Sequence, residues 1–213
     1  MPTVFPIFDR SILDMKKPIY LIVPIAIAAL IYFTLSGGES AEEFEASVLV
    51  HRAEKEDYLR TNSGSPFVQE GIEAGDFSYF PIDKKYKVTA KVEKILKRQI
   101  LMIQNSDGSS QRYLKYAWLH FEINEIPQKL LVLKSMVDSS LFLGFADDTS
   151  GDTSYGGGRY LDVGELKSDR ATLNFNLSYN PYCAYSPKFQ CPFPPKENIL
   201  AVKIEAGERD YSK

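Results

Sequence analysis

The sequence predicts a mainly-β fold, an antiparallel sandwich or partly open barrel with one packed helix, preceded by an N-terminal transmembrane helix. Three observations carry this expectation. Short runs of alternating apolar and polar residues recur between glycine- and proline-marked turns. A single stretch has helical spacing and a start signal. Near the N-terminus, Pro18 to Leu35 is free of charge over 18 residues, roughly 27 Å as a helix and close to the bilayer hydrocarbon thickness.

Taken in order, residues 1–17 read as a cytoplasmic N-terminus, 18–36 as a transmembrane anchor or signal segment, and 39–213 as one extracytoplasmic mainly-β domain. Lys16 and Lys17 stand before the apolar run, and Glu39, Glu42, Glu43 and Glu45 follow it. By the positive-inside rule the domain then sits outside, single-pass and tied to the cell membrane, with cleavage at Ser36-Gly37-Gly38 and secretion as second choice. Ser40 with Glu43 forms a capping box, so a helix is expected from about Ala41 to Arg60, its apolar stripe being Ala46, Leu49, Val50 and Ala53. His51 and Arg52 lie on that helix, flanking its packing face or reaching a site.

Strands are expected where Val88, Ala90 and Val92 alternate with polar neighbours, at Gln99–Gln104, and from near Gln111 after a turn at Ser106-Asp-Gly108. Leu119, Phe121 and Ile123 continue the pattern, and Leu130–Leu133 suits a buried strand. Later alternations are Leu141/Leu143/Phe145 leading into Asp147, Leu173/Phe175/Leu177 within Thr172–Ser178, and a final strand Leu200/Val202/Ile204/Ala206.

Composition bounds the function. With 44% hydrophobic and 25% charged residues the chain is globular, and a net charge of −3 without a Lys/Arg stripe argues against nucleic acid. No Gly-Lys-Ser/Thr phosphate loop occurs, and Gly151 to Gly156 is one residue too long for a nucleophile elbow. Asp147, Asp148 and Asp152 do not have calcium-loop spacing, and two histidines are too few for a histidine-rich metal site, so no metal or cofactor is expected. Asp147, at the end of an apolar stripe, needs a partner, with Arg159, Thr149 and Ser150 as candidates. Cys183 and Cys191 bracket a short loop and are a disulfide candidate.

The last third is crowded with unusual words: Asp147-Asp-Thr-Ser-Gly151, Thr153-Ser-Tyr-Gly-Gly-Gly-Arg-Tyr160, Phe175-Asn-Leu-Ser-Tyr-Asn-Pro-Tyr-Cys-Ala-Tyr185, Cys191-Pro-Phe-Pro-Pro-Lys-Glu-Asn198 and Ala206-Gly-Glu208. In this order they resemble the domain-of-unknown-function family 1684 over roughly Val48 to Glu208, a likeness that implies no particular reaction. Relatives tend to carry an acid where this chain has Asn174, so a general base at that position is disfavoured.

Two uses of these words are expected. As a binding module, Tyr155, Arg159, Tyr160, Asn176, Asn180, Tyr182 and Glu197 line a pocket for a small polar or cell-envelope ligand. As a hydrolase-type enzyme, Asp147 or Glu197 is the acid/base and Arg159 the electrostatic stabiliser. A third reading makes the same residues purely structural.

Overall fold

The computed structural model describes residues 22–28 and 38–211. Met1–Glu43 and Phe44–Lys213 are separate compact units. In the first, 22–28 is helical, and the remainder of the apolar 18–36 stretch lies outside the described residues. The expected transmembrane anchor and single-pass membrane placement are overturned: among the described residues no helix is long and apolar enough to cross a membrane.

Helix α1, Ala41–Thr61, starts where expected. Ser40 and Glu43 exchange the reciprocal capping-box bonds, Ser40 N–H to Glu43 Oε2 at 2.9 Å and Glu43 N–H to Ser40 Oγ at 3.1 Å. Its buried face differs from the expected stripe. Leu49 and Val50 are 51% and 58% exposed, whereas Phe44, Val48, Arg52 and Leu59 are buried. Those residues recur every three or four positions once half-buried Lys55 is included. The helix therefore turns a row containing two cations towards the domain. Helix α2, Pro66–Glu70, is capped by Ser65 and closed by Gly71 at φ 66°.

The main sheet is antiparallel with six strands: β1 Lys87–Lys94, β2 Ile100–Gln104, β3 Ser110–Ile123, β4 Ile126–Ser135, β5 Leu141–Phe142 and, by chain order, β8 Arg170–Asn174. Its order is β5-β4-β3-β1-β8, with β2 also on β3. The β3–β4 pairing closes at Ile123↔Ile126 through Asn124 and Glu125, both at positive φ as a tight hairpin requires. A small second sheet pairs β6 Gly144–Phe145 with β7 Arg159–Tyr160.

The mainly-β antiparallel character fits the expectation, but the two sheets are unequal. One face of the large sheet contributes Ala90, Ala117, Leu119, Phe121, Leu130 and Val132 to the main core. Loops cover that face, through Leu161, Phe175, Leu200, Val202, Ile204 and Ala206. The residues at 200–206 alternate inward as predicted yet form no strand. Likewise Thr172–Ser178 is strand only to Asn174, after which Phe175–Leu177 turns as a 3-10 helix. Asn174 accepts from the Asn176 N–H and caps that turn.

Candidate functional site

Pairing of Phe145 with Arg159 brings Asp147 beside the arginine. Arg159 is fully buried and its Nη2 donates to Asp147 Oδ2 at 2.8 Å. The same nitrogen donates to the Ile204 carbonyl at 2.8 Å, and Nη1 donates to those of Ala206 and Glu208. Asp147 Oδ1 accepts from Thr149 N–H and Oγ1 at 2.8 and 2.6 Å and from Ile204 N–H at 3.2 Å. A pair of side chains thus takes the place of a strand neighbour for residues 204–206, beyond which Gly207 and Glu208 bond the backbone of Phe80 and Ser178. The guanidinium lies near the Phe80 and Phe145 rings, at 5.6 and 5.3 Å from their centroids. Burial lowers its pKa and the Asp147 charge raises it.

Glu208, Asn180 and Tyr185 form a second clamp. Asn180 donates its backbone N–H to Glu208 Oε2 at 3.0 Å and its amide to Oε1 at 2.9 Å, while the Tyr185 hydroxyl donates to both oxygens. Burial pushes the Glu208 carboxyl above its ordinary value, against these bonds. Asn176 pairs with the Asp83 backbone through both amide atoms, each at 2.9 Å, and its carbonyl accepts from Arg52. A cavity of only about 10 Å³, bounded by His51, Arg52, Lys55, Tyr79, Asn176 and Glu208, lies between helix and clamp. That is room for about one water molecule.

Tyr160 and Tyr182 line a different space. With Lys55, Tyr179, Phe189 and Cys191 they bound a cleft of about 260 Å³. Its rings stand as two edge-to-face pairs, Tyr160–Tyr179 at 6.1 Å and Tyr182–Phe189 at 5.5 Å. Their hydroxyls are occupied, Tyr160 donating to the Pro192 carbonyl and Tyr179 to Asp162, both at 2.7 Å, with Tyr182 on Tyr58. Lys55 Nζ sits 3.7 Å from the Tyr179 ring centroid. Burial lowers its pKa, while the Asp162 and Glu208 charges oppose the shift.

The other expected residues are dispersed. Tyr155 donates to Cys183 Sγ at 3.7 Å. Cys183 and Cys191 are free thiols, so the expected disulfide is not formed; the Cys183 backbone N–H donates to Cys191 Sγ at 3.0 Å. Glu197 pairs with Lys115 at 2.7 Å and borders a groove with Leu101, Met102, Phe193 and Pro194, in which Asp147 takes no part. Its neighbour Asn198, fully buried, bridges the Leu131 N–H and carbonyl and the Gly144 carbonyl. Among the described residues no group of three or more His, Cys, Asp or Glu side chains is placed to hold a metal.

Lys55, Tyr179 and Phe189 were not singled out from the sequence. Lys55 had a signal: it lies between Arg52 and Leu59 on the true buried helix face, which the more hydrophobic Leu49 and Val50 obscured.

Fold and site together define an antiparallel β domain whose loop polar groups lock inward and whose aromatic cleft opens beside one lysine. The family described as protein of unknown function (DUF1684) matches residues 75–209, and the chain belongs to it. The solution NMR structure of an uncharacterized protein from Haloarcula marismortui is similar at 35% sequence identity and a TM-score of 0.60. That similarity covers 79% of this chain and 95% of the other. No curated protein matches the chain.

Proposed function

We propose that the domain is a binding module for a small ligand with a flat apolar body and one anionic group, seated in the Lys55 cleft. The observation that carries this reading is a single half-buried ammonium set among four aromatic rings, three of them tyrosines whose hydroxyls are already bonded. Rings in that state offer faces and edges to a ligand rather than hydrogen bonds. Lysine supplies the one strong polar anchor, and a volume of about 260 Å³ limits the guest to about one ring with a substituent. The hydrolase reading gains no comparable support, because Asp147 spends both oxygens on internal donors and Glu197 pairs with Lys115.

Benzoate is the probe, with benzylamine as its charge-reversed control, read by calorimetric titration. Benzoate binds saturably, benzylamine does not, and Lys55→Met weakens benzoate by ~10-fold or more, the scale of a charge-assisted bond. Equal affinity of wild type and Lys55→Met, or no saturation by benzoate, overturns the reading.

A further inference from the structure

We propose that Cys183 and Cys191 form an exchange-active dithiol, in which Cys183 attacks a low-molecular-weight disulfide and Cys191 resolves the adduct. The proposal stands apart from the ligand reading and rests on how the two sulfurs are placed. Cys183 is half-exposed in the 3-10 turn Tyr182–Ala184, whereas Cys191 is 6% exposed beneath it. An external disulfide therefore meets Cys183 first. The sulfurs are close neighbours: the Cys183 N–H donates to Cys191 Sγ at 3.0 Å, and the Cys191 thiol acts on the Cys183 sulfur so as to favour its thiolate.

Hydroxyl donors complete the setting. The Tyr155 phenol donates to Cys183 Sγ at 3.7 Å, and the Ser106 hydroxyl donates to the Phe189 carbonyl at 3.2 Å. Ser106 Oγ also accepts from the Cys191 N–H at 3.1 Å, which fixes Cys191 from the β2–β3 turn. Donors directed at a sulfur stabilise its thiolate, the nucleophilic form. The Cys191 thiol, followed by the Tyr155 phenol, holds Cys183 down to about 6 against its burial, while Cys191 is pushed up. That ordering makes Cys183 the attacking and Cys191 the resolving sulfur.

The chemistry balances with a disulfide RSSR as oxidant. The Cys183 thiolate forms a bond to one sulfur of RSSR, and the RS–SR bond breaks to release RS⁻. Cys191 then gives its proton to RS⁻, forming RSH, and its thiolate attacks Cys183 Sγ. The second RS⁻ leaves and takes up the proton that Cys183 lost to solvent on ionising. Two protein thiols are oxidised to one disulfide, and RSSR is reduced to two RSH.

The test is incubation of the native, full chain with glutathione disulfide, acid quench and intact mass. Wild type becomes lighter by two hydrogen atoms and loses both thiols. Cys191→Ser stops as a mixed disulfide mapped to Cys183, and Cys183→Ser reacts at least ~10-fold more slowly. Native wild type that keeps both thiols while denatured protein oxidises overturns the proposal, as does an adduct on Cys191. A second measurement needs no cysteine variant: in wild type the rate of Cys183 alkylation by iodoacetamide rises to half-maximum near pH 6. Tyr155→Phe moves that midpoint upward, since the thiolate loses a donor. A wild-type midpoint near the ordinary thiol value of about 8.5 overturns the ordering.

Discussion

Replacing Arg159 by Met removes the charge that balances Asp147 while keeping a long apolar side chain between Phe80 and Phe145. Asp147 and Arg159 have side chains 1% and 0% exposed, so solvent screening does little for the charge left behind. Removing one partner of a buried pair costs about 3–5 kcal/mol. Asp147 keeps its bonds from Thr149 and Ile204, which favours the lower end, but the carbonyls of Ile204, Ala206 and Glu208 lose their shared donor. A loss of about 3 kcal/mol is therefore a floor, and for a domain of this size it lowers Tm by roughly 6–12 °C. Urea unfolding followed through the single tryptophan, Trp118, measures it. Asp147→Asn combined with Arg159→Met is less damaging than the sum of the two by about 2 kcal/mol or more, as residues in one network require. Stability of Arg159→Met within about 1 kcal/mol of wild type, or strict additivity, refutes the argument that this pair holds the C-terminal segment.

Three further outcomes follow from neighbouring contacts. Asn198→Ala strands the Leu131 N–H and carbonyl and the Gly144 carbonyl, costing about 2–5 kcal/mol in urea unfolding and speeding hydrogen exchange at the Leu131 amide. Gly207→Ala costs more than about 2 kcal/mol by calorimetry, because φ is 79° and the new Cβ lies 2.6 Å from the Ser178 carbonyl oxygen and 2.7 Å from that of Phe175. Glu208 has a folded pKa raised by burial. Its contribution is complete below the unfolded value of about 4.3 and is lost as pH rises through the folded value. The stability of wild type relative to Glu208→Gln thus falls as pH rises above the unfolded value, and urea midpoints at increasing pH check the sign.

The periodic parts of the fold were legible in the sequence because their signals are local. The capping box at Ser40 and Glu43, the alternations leading into β1 and β3 and the short apolar run of β4 needed only neighbours in the chain. Alternation at 200–206 also read correctly as burial and wrongly as a strand. Whether an extended segment joins a ladder depends on a partner distant in sequence, and here Arg159 and Asp147 side chains take that place. The helix face misread for a related reason: Leu49 and Val50 are more hydrophobic than Arg52 and Lys55. Two cations face inward because Asn176 and Phe80 carbonyls and the rings of Tyr79 and Tyr179 receive them. In the last third, the asparagines and Arg159 stood out as chemically equipped. The sequence carries no sign of whether such groups face a ligand or one another, since that depends on which loop covers which. Glu208 is a case in point, turned onto Asn180 of another loop.

The division between inward clamps and an outward cleft is tested most directly by mapping benzoate on the isotope-labelled domain through backbone amide shifts. The account predicts saturable shifts at Lys55, Tyr179, Tyr182, Phe189 and Gln190, with Asp147, Arg159 and Asn198 unmoved. Shifts confined to the groove at Leu101 and Glu197, or centred on Arg159, contradict it.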